Sequence, residues 1–148
     1  MKAVLQRVNF CELHVGGDKI SSIGPGLLIL LGIHEKDNEA SVEYLVSKVL
    51  KMRIFSDENG KMNWSVLDIK GEVMVVSQFT LYADTTKGNR PSFIEAARPE
   101  KAIPLYELFK KKCSQQLGRE VASGIFGADM KITFLNDGPV TVIIEDKG

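Results

Sequence analysis

Apolar and polar residues alternate from Lys2 to Val15 with a break near Asn9, a pattern that predicts two strands. Gly16-Gly17-Asp18 predicts a hairpin turn, and Lys19 to Ile23 reads as the return strand. Gly24-Pro25-Gly26 then turns the chain into Leu27-Leu28-Ile29-Leu30-Leu31, a continuous apolar run expected of a strand buried on both faces. A helix follows. Asp37, Asn38 and Glu39 put a cap and negative charge at its start, and Val42, Leu45, Val46, Val49 and Leu50 recur at helical spacing. Ile54-Phe55 opens another strand, Asp57-Glu58-Asn59-Gly60 is a turn, and Glu72 to Gln78 is a central strand. Ala83 to Pro91 is a polar loop. A second helix is expected from about Pro99 to Leu117, with Ala102, Leu105, Phe109 and Cys113 inward and Pro104 tolerable only in its first turn. Lys131 to Leu135 and Val140 to Glu145 read as two further strands, for which Gly138-Pro139 is the plainest turn. No repeat or linker divides the chain, so residues 1–148 are expected to form one strand-rich α+β domain with two main helices.

Composition narrows the function classes. The 148 residues are 44% hydrophobic and 26% charged, ordinary values for a globular protein. No apolar run approaches the roughly 18 residues of a membrane span, and the alternating start lacks the apolar stretch of a signal peptide. A cytoplasmic protein without a membrane partner is the expectation. Cys11 and Cys113, with no C-x-x-C spacing, read as reduced structural thiols. Nineteen basic and nineteen acidic residues cancel, which argues against extensive duplex binding because phosphate neutralisation normally supplies that affinity. A protein that holds only the end of an RNA is compatible with neutrality.

The chemistry-bearing residues are few. His14 and His34 are the only histidines and have no ligand-type neighbours, so no metal is expected; no phosphate-cradling glycine motif occurs, and no cofactor is expected. Lys110-Lys111-Lys112 reads as a solvated helix face, or alternatively as a phosphate contact that Lys101, Lys87 and Arg90 could extend. Two tracts stand out because each closes an apolar run. Ser77-Gln78-Phe79-Thr80-Leu81 follows Val73-Met74-Val75-Val76, and Asn136-Asp137-Gly138-Pro139-Val140-Thr141 lies between Ile132-Thr133-Phe134-Leu135 and Val142-Ile143-Ile144. Strand ends hold polar groups on a rigid frame, and both tracts offer backbone and small polar groups instead of a carboxylate or imidazole. Ser77 and Thr80 are the available hydroxyl nucleophiles, but Thr80 has no evident base beside it.

Together these tracts resemble the two signature motifs of the D-aminoacyl-tRNA deacylases, also called D-tyrosyl-tRNA deacylases. The likeness extends to Met1-Lys2-Ala3-Val4-Leu5-Gln6-Arg7-Val8, to Gly24-Pro25-Gly26-Leu27-Leu28 and to Lys87-Gly88-Asn89-Arg90-Pro91-Ser92-Phe93, nearly the full length. The resemblance implies a barrel-like, largely antiparallel sheet with flanking helices and a homodimer. It also implies hydrolysis of the ester joining a D-amino acid to the 3′-terminal adenosine of tRNA. Ser77, Gln78, Phe79 and Thr80 are then the catalytic tract, with backbone N–H donors near Phe79 and Thr80 facing the oxyanion. Gly138 and Pro139, joined by a cis bond, enter the partner subunit's site as a wall against L side chains. Arg7 orients them, and Met130, Phe79 and Ala102 line the adenosine pocket. Two other readings stay open: a non-catalytic nucleic-acid-binding module, and an editing relative acting on a misacylated L-amino acid.

Overall fold

The computed structural model describes residues 1–146. In chain order its elements are β1 (Lys2–Val15), β2 (Asp18–Ile23), β3 (Gly26–Gly32), α1 (Glu39–Lys51), β4 (Phe55–Ser56), β5 (Met62–Trp64) and β6 (Glu72–Ser77). A single 3-10 turn (Phe79–Tyr82), α2 (Pro99–Leu117), β7 (Ala122–Ser123) and β8 (Met130–Glu145) complete it. The main sheet runs β2-β1-β3-β6-β7, with β8 on the remaining side of β1. The Ser21 hydroxyl donates to the Ser123 carbonyl at 2.8 Å, drawing β2 toward β7 and nearly closing the sheet into a barrel. The expected α+β, barrel-like architecture is the one observed.

Alternation sends side chains to the two faces of this sheet. Val8, Cys11, Leu13, Ile23, Leu28, Met74 and Val76 form the inner cluster, joined by Met130, Ile132 and Phe134 of β8. The opposite face, with Leu5, Leu27, Ile29, Leu31, Val73 and Val75, packs against the apolar stripes of α1 and α2. β3 lies between β1 and β6, and all its residues except Leu30 are buried, as its unbroken apolar run predicts. At α1 the Asn38 side chain accepts from the Ser41 N–H while the Ser41 hydroxyl accepts from the Asn38 N–H. That cap is worth about 1 kcal/mol, whereas each buried stripe residue contributes about 1.5–3 kcal/mol, so packing decides where the helix lies. Asp37 is not part of the cap. Its carboxylate accepts from the Met1 ammonium and from the His34 N–H, each at 2.7 Å, tying the start of β1 to the head of α1.

Three expectations are corrected. The break near Asn9 does not end a strand. β1 is continuous, and its partner positions jump from Val8↔Asn136 to Cys11↔Phe134, so two β1 residues oppose one on β8 in a bulge. The two tail strands and their hairpin are likewise one strand. β8 pairs with β1 from Val15↔Met130 to Lys2↔Glu145, and the residues between Asn136 and Thr141 bulge out opposite Arg7. Pro104 is the sixth residue of α2, beyond the first turn, where it deprives the Glu100 carbonyl of an N–H partner inside the helix. β5 and β7, not anticipated from the sequence, have three and two residues and are too short to carry a readable period.

Candidate active site

The first tract is shaped by where β6 stops. The parallel ladder with β3 ends at Leu31↔Ser77, and the Gln78 N–H still donates to the Leu31 carbonyl at 2.8 Å. The chain then tightens into the 3-10 turn, in which Leu81 N–H bonds the Gln78 carbonyl and Ala83 N–H bonds the Thr80 carbonyl. The leading N–H groups of such a turn, on Phe79 and Thr80, have no acceptor within it. They are adjacent donors at a rigid strand end, the arrangement that stabilises a developing oxyanion. Phe79 is 54% exposed and meets Phe93 edge to face, with ring centroids 5.2 Å apart.

The neighbours of each candidate nucleophile bear on its activation. The Thr80 hydroxyl accepts a hydrogen bond from the Gln78 side-chain amide, which is no base. The closest histidine by sequence, His34, turns its ring edge-on to Tyr82 and takes the Lys36 N–H at Nδ1. Burial, reinforced by the Asp37 carboxylate, drives the Tyr82 phenol upward from its ordinary pKa, so it stays protonated. Both thiols are buried, and that burial pushes Cys11 up to about 11 and Cys113 up to about 12. At neutral pH neither supplies a thiolate. Among the described residues, no group of three or more His, Cys, Asp and Glu could hold a metal ion.

The second tract is the bulge in β8. The Gly138-Pro139 bond is cis, Gly138 has φ +131°, and both residues are exposed. That φ suits glycine, and an added Cβ would lie 2.7 Å from Val140 Cγ2. The bulge is held from both sides. Arg7, 9% exposed, donates from Nε to the Asp137 carbonyl at 3.0 Å and from Nη1 to the Ile54 carbonyl at 2.8 Å. Its guanidinium also stands 3.4 Å from the Asp137 carboxylate. Across the bulge, the Val140 N–H donates to Asn136 Oδ1 at 3.2 Å, and Asn136 Nδ2 and the Thr141 hydroxyl both donate to Gln6 Oε1.

The structure thus brings Arg7 to Gly138 and Pro139, and keeps Ser77, Gln78, Phe79 and Thr80 together. It does not join the two groups within one chain. Arg7 pairs with Leu27, and Leu27 with Val73, four residues before Ser77; the bulge on β8 is three strands away from β6. Strand spacing of about 4.8 Å and rise of about 3.3 Å per residue put the tracts about 20 Å apart. Ala102 and Met130 are also separated, Ala102 packing on the helix side of the sheet and Met130 with the inner cluster. Sequence reasoning missed Gln6, Asn136 and Phe93 as supports. Phe93 and Asn136 lie inside the tracts that drew notice, whereas Gln6 is a polar residue on an alternating strand and carries no local signal.

A nearly closed sheet with two helices on one face, bearing a strand-end donor pair and an arginine-held Gly-Pro bulge, defines a structural class with solved members. A structure named "c-Myc DNA Unwinding Element Binding Protein" is similar over 100% of both chains, with 41% identity and a TM-score of 0.95. Another, named as a probable eukaryotic D-amino acid tRNA deacylase, is similar over 97% of both chains with a TM-score of 0.86; at 16% identity it shows the fold alone. The family described as D-Tyr-tRNA(Tyr) deacylase matches residues 4–145. Relatives named D-aminoacyl-tRNA deacylase from Akkermansia muciniphila and Cytophaga hutchinsonii are 57% and 56% identical over 147 residues, covering 99% of this chain and 98% of each relative. The chain belongs to the D-Tyr-tRNA(Tyr) deacylase family.

Proposed function

We propose that this protein hydrolyses the ester of D-aminoacyl-tRNA, releasing the D-amino acid and free tRNA. The carrying observation is the strand-end turn, with adjacent N–H groups of Phe79 and Thr80 unbonded within it and no activated nucleophile beside them. The family to which the chain belongs supports the substrate class. Water attacks the ester carbonyl carbon, the Phe79 and Thr80 N–H groups hold the oxyanion, and the carbon–O3′ bond breaks as O3′ takes a proton. The neighbouring 2′-hydroxyl of the terminal adenosine relays that proton, the role a histidine plays elsewhere. Exposed Phe79 offers the adenine a ring to stack on, with Ala102 and Met130 proposed as further walls of that pocket. A cytoplasmic location is part of this proposal, because aminoacyl-tRNA is its substrate. No helix among the described residues is long and apolar enough to cross a membrane.

The chirality filter is proposed to be the Gly138-Pro139 bulge of a second copy. The separation of about 20 Å argued from register keeps the bulge away from its own Phe79. β8 has no partner beyond β1 among the described residues, and it exposes Leu135 and Ile143 at 50% and 66%. An open 16-residue edge with apolar side chains is the kind of surface a two-fold partner covers. Sedimentation at micromolar concentration is expected to show a dimer. A monomer with full deacylase activity would overturn the shared site.

Purified protein is expected to release D-tyrosine from D-tyrosyl-tRNA, and Thr80→Ala to keep kcat within about tenfold, because its hydroxyl has no base to activate it. Trapping of an aminoacyl adduct on Thr80, or collapse of the variant to background, would favour a covalent route. The name of the 41% identical neighbour supports a rival reading as a DNA-binding module, and the zero net charge weighs against it. DNA retention without any ester hydrolysis would decide for that rival.

A further inference from the structure

The loop after the candidate catalytic turn is built unlike an idle connection. Asp84 and Ser92 exchange backbone hydrogen bonds, N–H to carbonyl at 2.8 and 2.9 Å, closing residues 85–91 into a stapled loop. The Asp84 carboxylate accepts the Thr86 N–H at 3.0 Å and the Thr86 hydroxyl at 2.7 Å. Both bonds fall on Oδ1 and hold the carboxyl below the usual carboxylate range. Gly88, with φ +84° and open space around it, makes the tip.

Beyond the staple, the charge on this loop is positive. Residues 85–92 contain Lys87 and Arg90 and no acid, and Asp84 at the staple is the loop's one carboxylate, in a chain whose nineteen basic and nineteen acidic residues cancel. Both cations are exposed, and neither makes an ion pair or hydrogen bond among the described residues, whereas Lys110, Lys112 and Lys131 each pair with a carboxylate. The loop is also anchored to the reacting tract at both ends. It begins at Asp84, two residues after the 3-10 turn ends at Tyr82, and Phe93 just past its far end meets Phe79 edge to face. Arg90 is three residues from Phe93, so its backbone lies within about 11 Å of the Phe93 backbone. A terminal nucleoside on Phe79 would send its preceding phosphodiesters past such a loop.

We infer that Lys87 and Arg90 on the stapled 84–92 loop hold the phosphodiesters immediately 5′ of the terminal adenosine of tRNA. The inference rests on the deacylase reading and assigns the residues that grip the RNA strand once its end is seated. Arg90 presents a planar fork to one phosphate, and Lys87 a point charge to another. The contact is independent of base identity, so it serves an enzyme that must accept many tRNAs.

The test is a Lys87→Ala, Arg90→Ala double variant assayed on D-tyrosyl-tRNA and on D-tyrosyl-adenosine, which lacks the preceding phosphates. With the full tRNA, KM is expected to rise about tenfold at low salt with kcat unchanged, and the log–log salt slope to become shallower by about 1.4, two lost single-strand phosphate contacts. Hydrolysis of the adenosine ester should be unchanged, and a single Lys87→Arg variant, which keeps both cations, should hold most of the tRNA affinity. An unaltered KM and salt slope overturn the inference. So does an equal loss on both substrates, which would make the loop a mere prop for Phe79. Filter binding of uncharged tRNA at several salt concentrations runs in parallel, so an inactive wild type would sink the deacylase reading while the phosphate contact is still decided.

Discussion

Arg7→Ala is expected to lower kcat/KM for D-tyrosyl-tRNA by about 10²- to 10³-fold and to lower the melting temperature as well. Arg7 is nearly buried and bonds two carbonyls from distant segments, Asp137 at 3.0 Å and Ile54 at 2.8 Å. Truncation strips both carbonyls of a charged donor, and the bond to the Ile54 carbonyl is buried. Each such loss costs about 1–3 kcal/mol. The Gly138-Pro139 bulge then hangs on the Asn136 and Gln6 side chains alone, and a displacement of about 1 Å in a positioning element costs about 10² in rate. Arg7→Lys separates positioning from charge. A lysine keeps the cation but cannot reach both carbonyls as a fork, so it should recover stability more than activity. The informative reading is the ratio of D-tyrosyl- to L-tyrosyl-tRNA hydrolysis at a temperature where each variant is folded. If that ratio and kcat/KM stay at wild-type values, Arg7 is a structural residue only and the positioning role falls.

The strands that form the frame were legible where burial alone decides them. β3 reads as doubly buried from its five apolar residues, and α1 from its stripe, because in both cases the local pattern and the packing agree. β8 was misread because its local signal is ambiguous. A Gly-Pro between two alternating runs is the composition of a hairpin, and only β1, more than a hundred residues earlier, holds the two runs in one line. The bulge at Asn9 and Phe10 is the same problem on the other strand: a shift of side-chain parity looks like a strand end unless the partner is known. Pro104 sits where a local rule disfavours it, and the buried face of Ala102, Leu105, Tyr106 and Phe109 keeps the helix running past it.

The candidate site divides along the same line. Its signature tracts were visible because they are contiguous, and the strand-end donors follow from where β6 stops. The supports were not, because they act across the sheet. Nothing near Arg7 in sequence points to the Ile54 carbonyl, and nothing near Gln6 points to Asn136 and Thr141, 130 or more residues away. The separation of the two tracts within one chain, on which the proposed sharing between two copies rests, is likewise a matter of register and is visible only in the strand pairing.

Glycyl-tRNA is expected to be hydrolysed at a rate within about tenfold of D-tyrosyl-tRNA, while L-alanyl- and L-tyrosyl-tRNA stay intact. Two designs can select a D-amino acid. One grips the D side chain; the other seats the ester, the α-amino group and the adenosine, and obstructs the direction in which an L side chain projects. The exposed Gly138-Pro139 bulge, fixed by Arg7 and the Asn136 network, suits the second, because it offers a rigid obstacle and no side chain longer than a proline ring. Glycine separates the designs. It has nothing to collide with the obstacle and nothing to be gripped. A gripping pocket would forgo the burial of a tyrosine side chain, about 1.5–3 kcal/mol, and glycyl-tRNA would react about 10- to 150-fold more slowly. An obstructing bulge loses little with glycine but meets the methyl group of L-alanine, and discrimination of about 10³-fold there corresponds to about 4 kcal/mol in the transition state. Side-by-side deacylation of D-tyrosyl-, glycyl-, L-alanyl- and L-tyrosyl-tRNA at substrate concentrations below KM reads the ranking directly. Inert glycyl-tRNA beside active D-tyrosyl-tRNA would overturn obstruction in favour of gripping, and brisk turnover of L-alanyl-tRNA would make the enzyme an editor of misacylated L-amino acids.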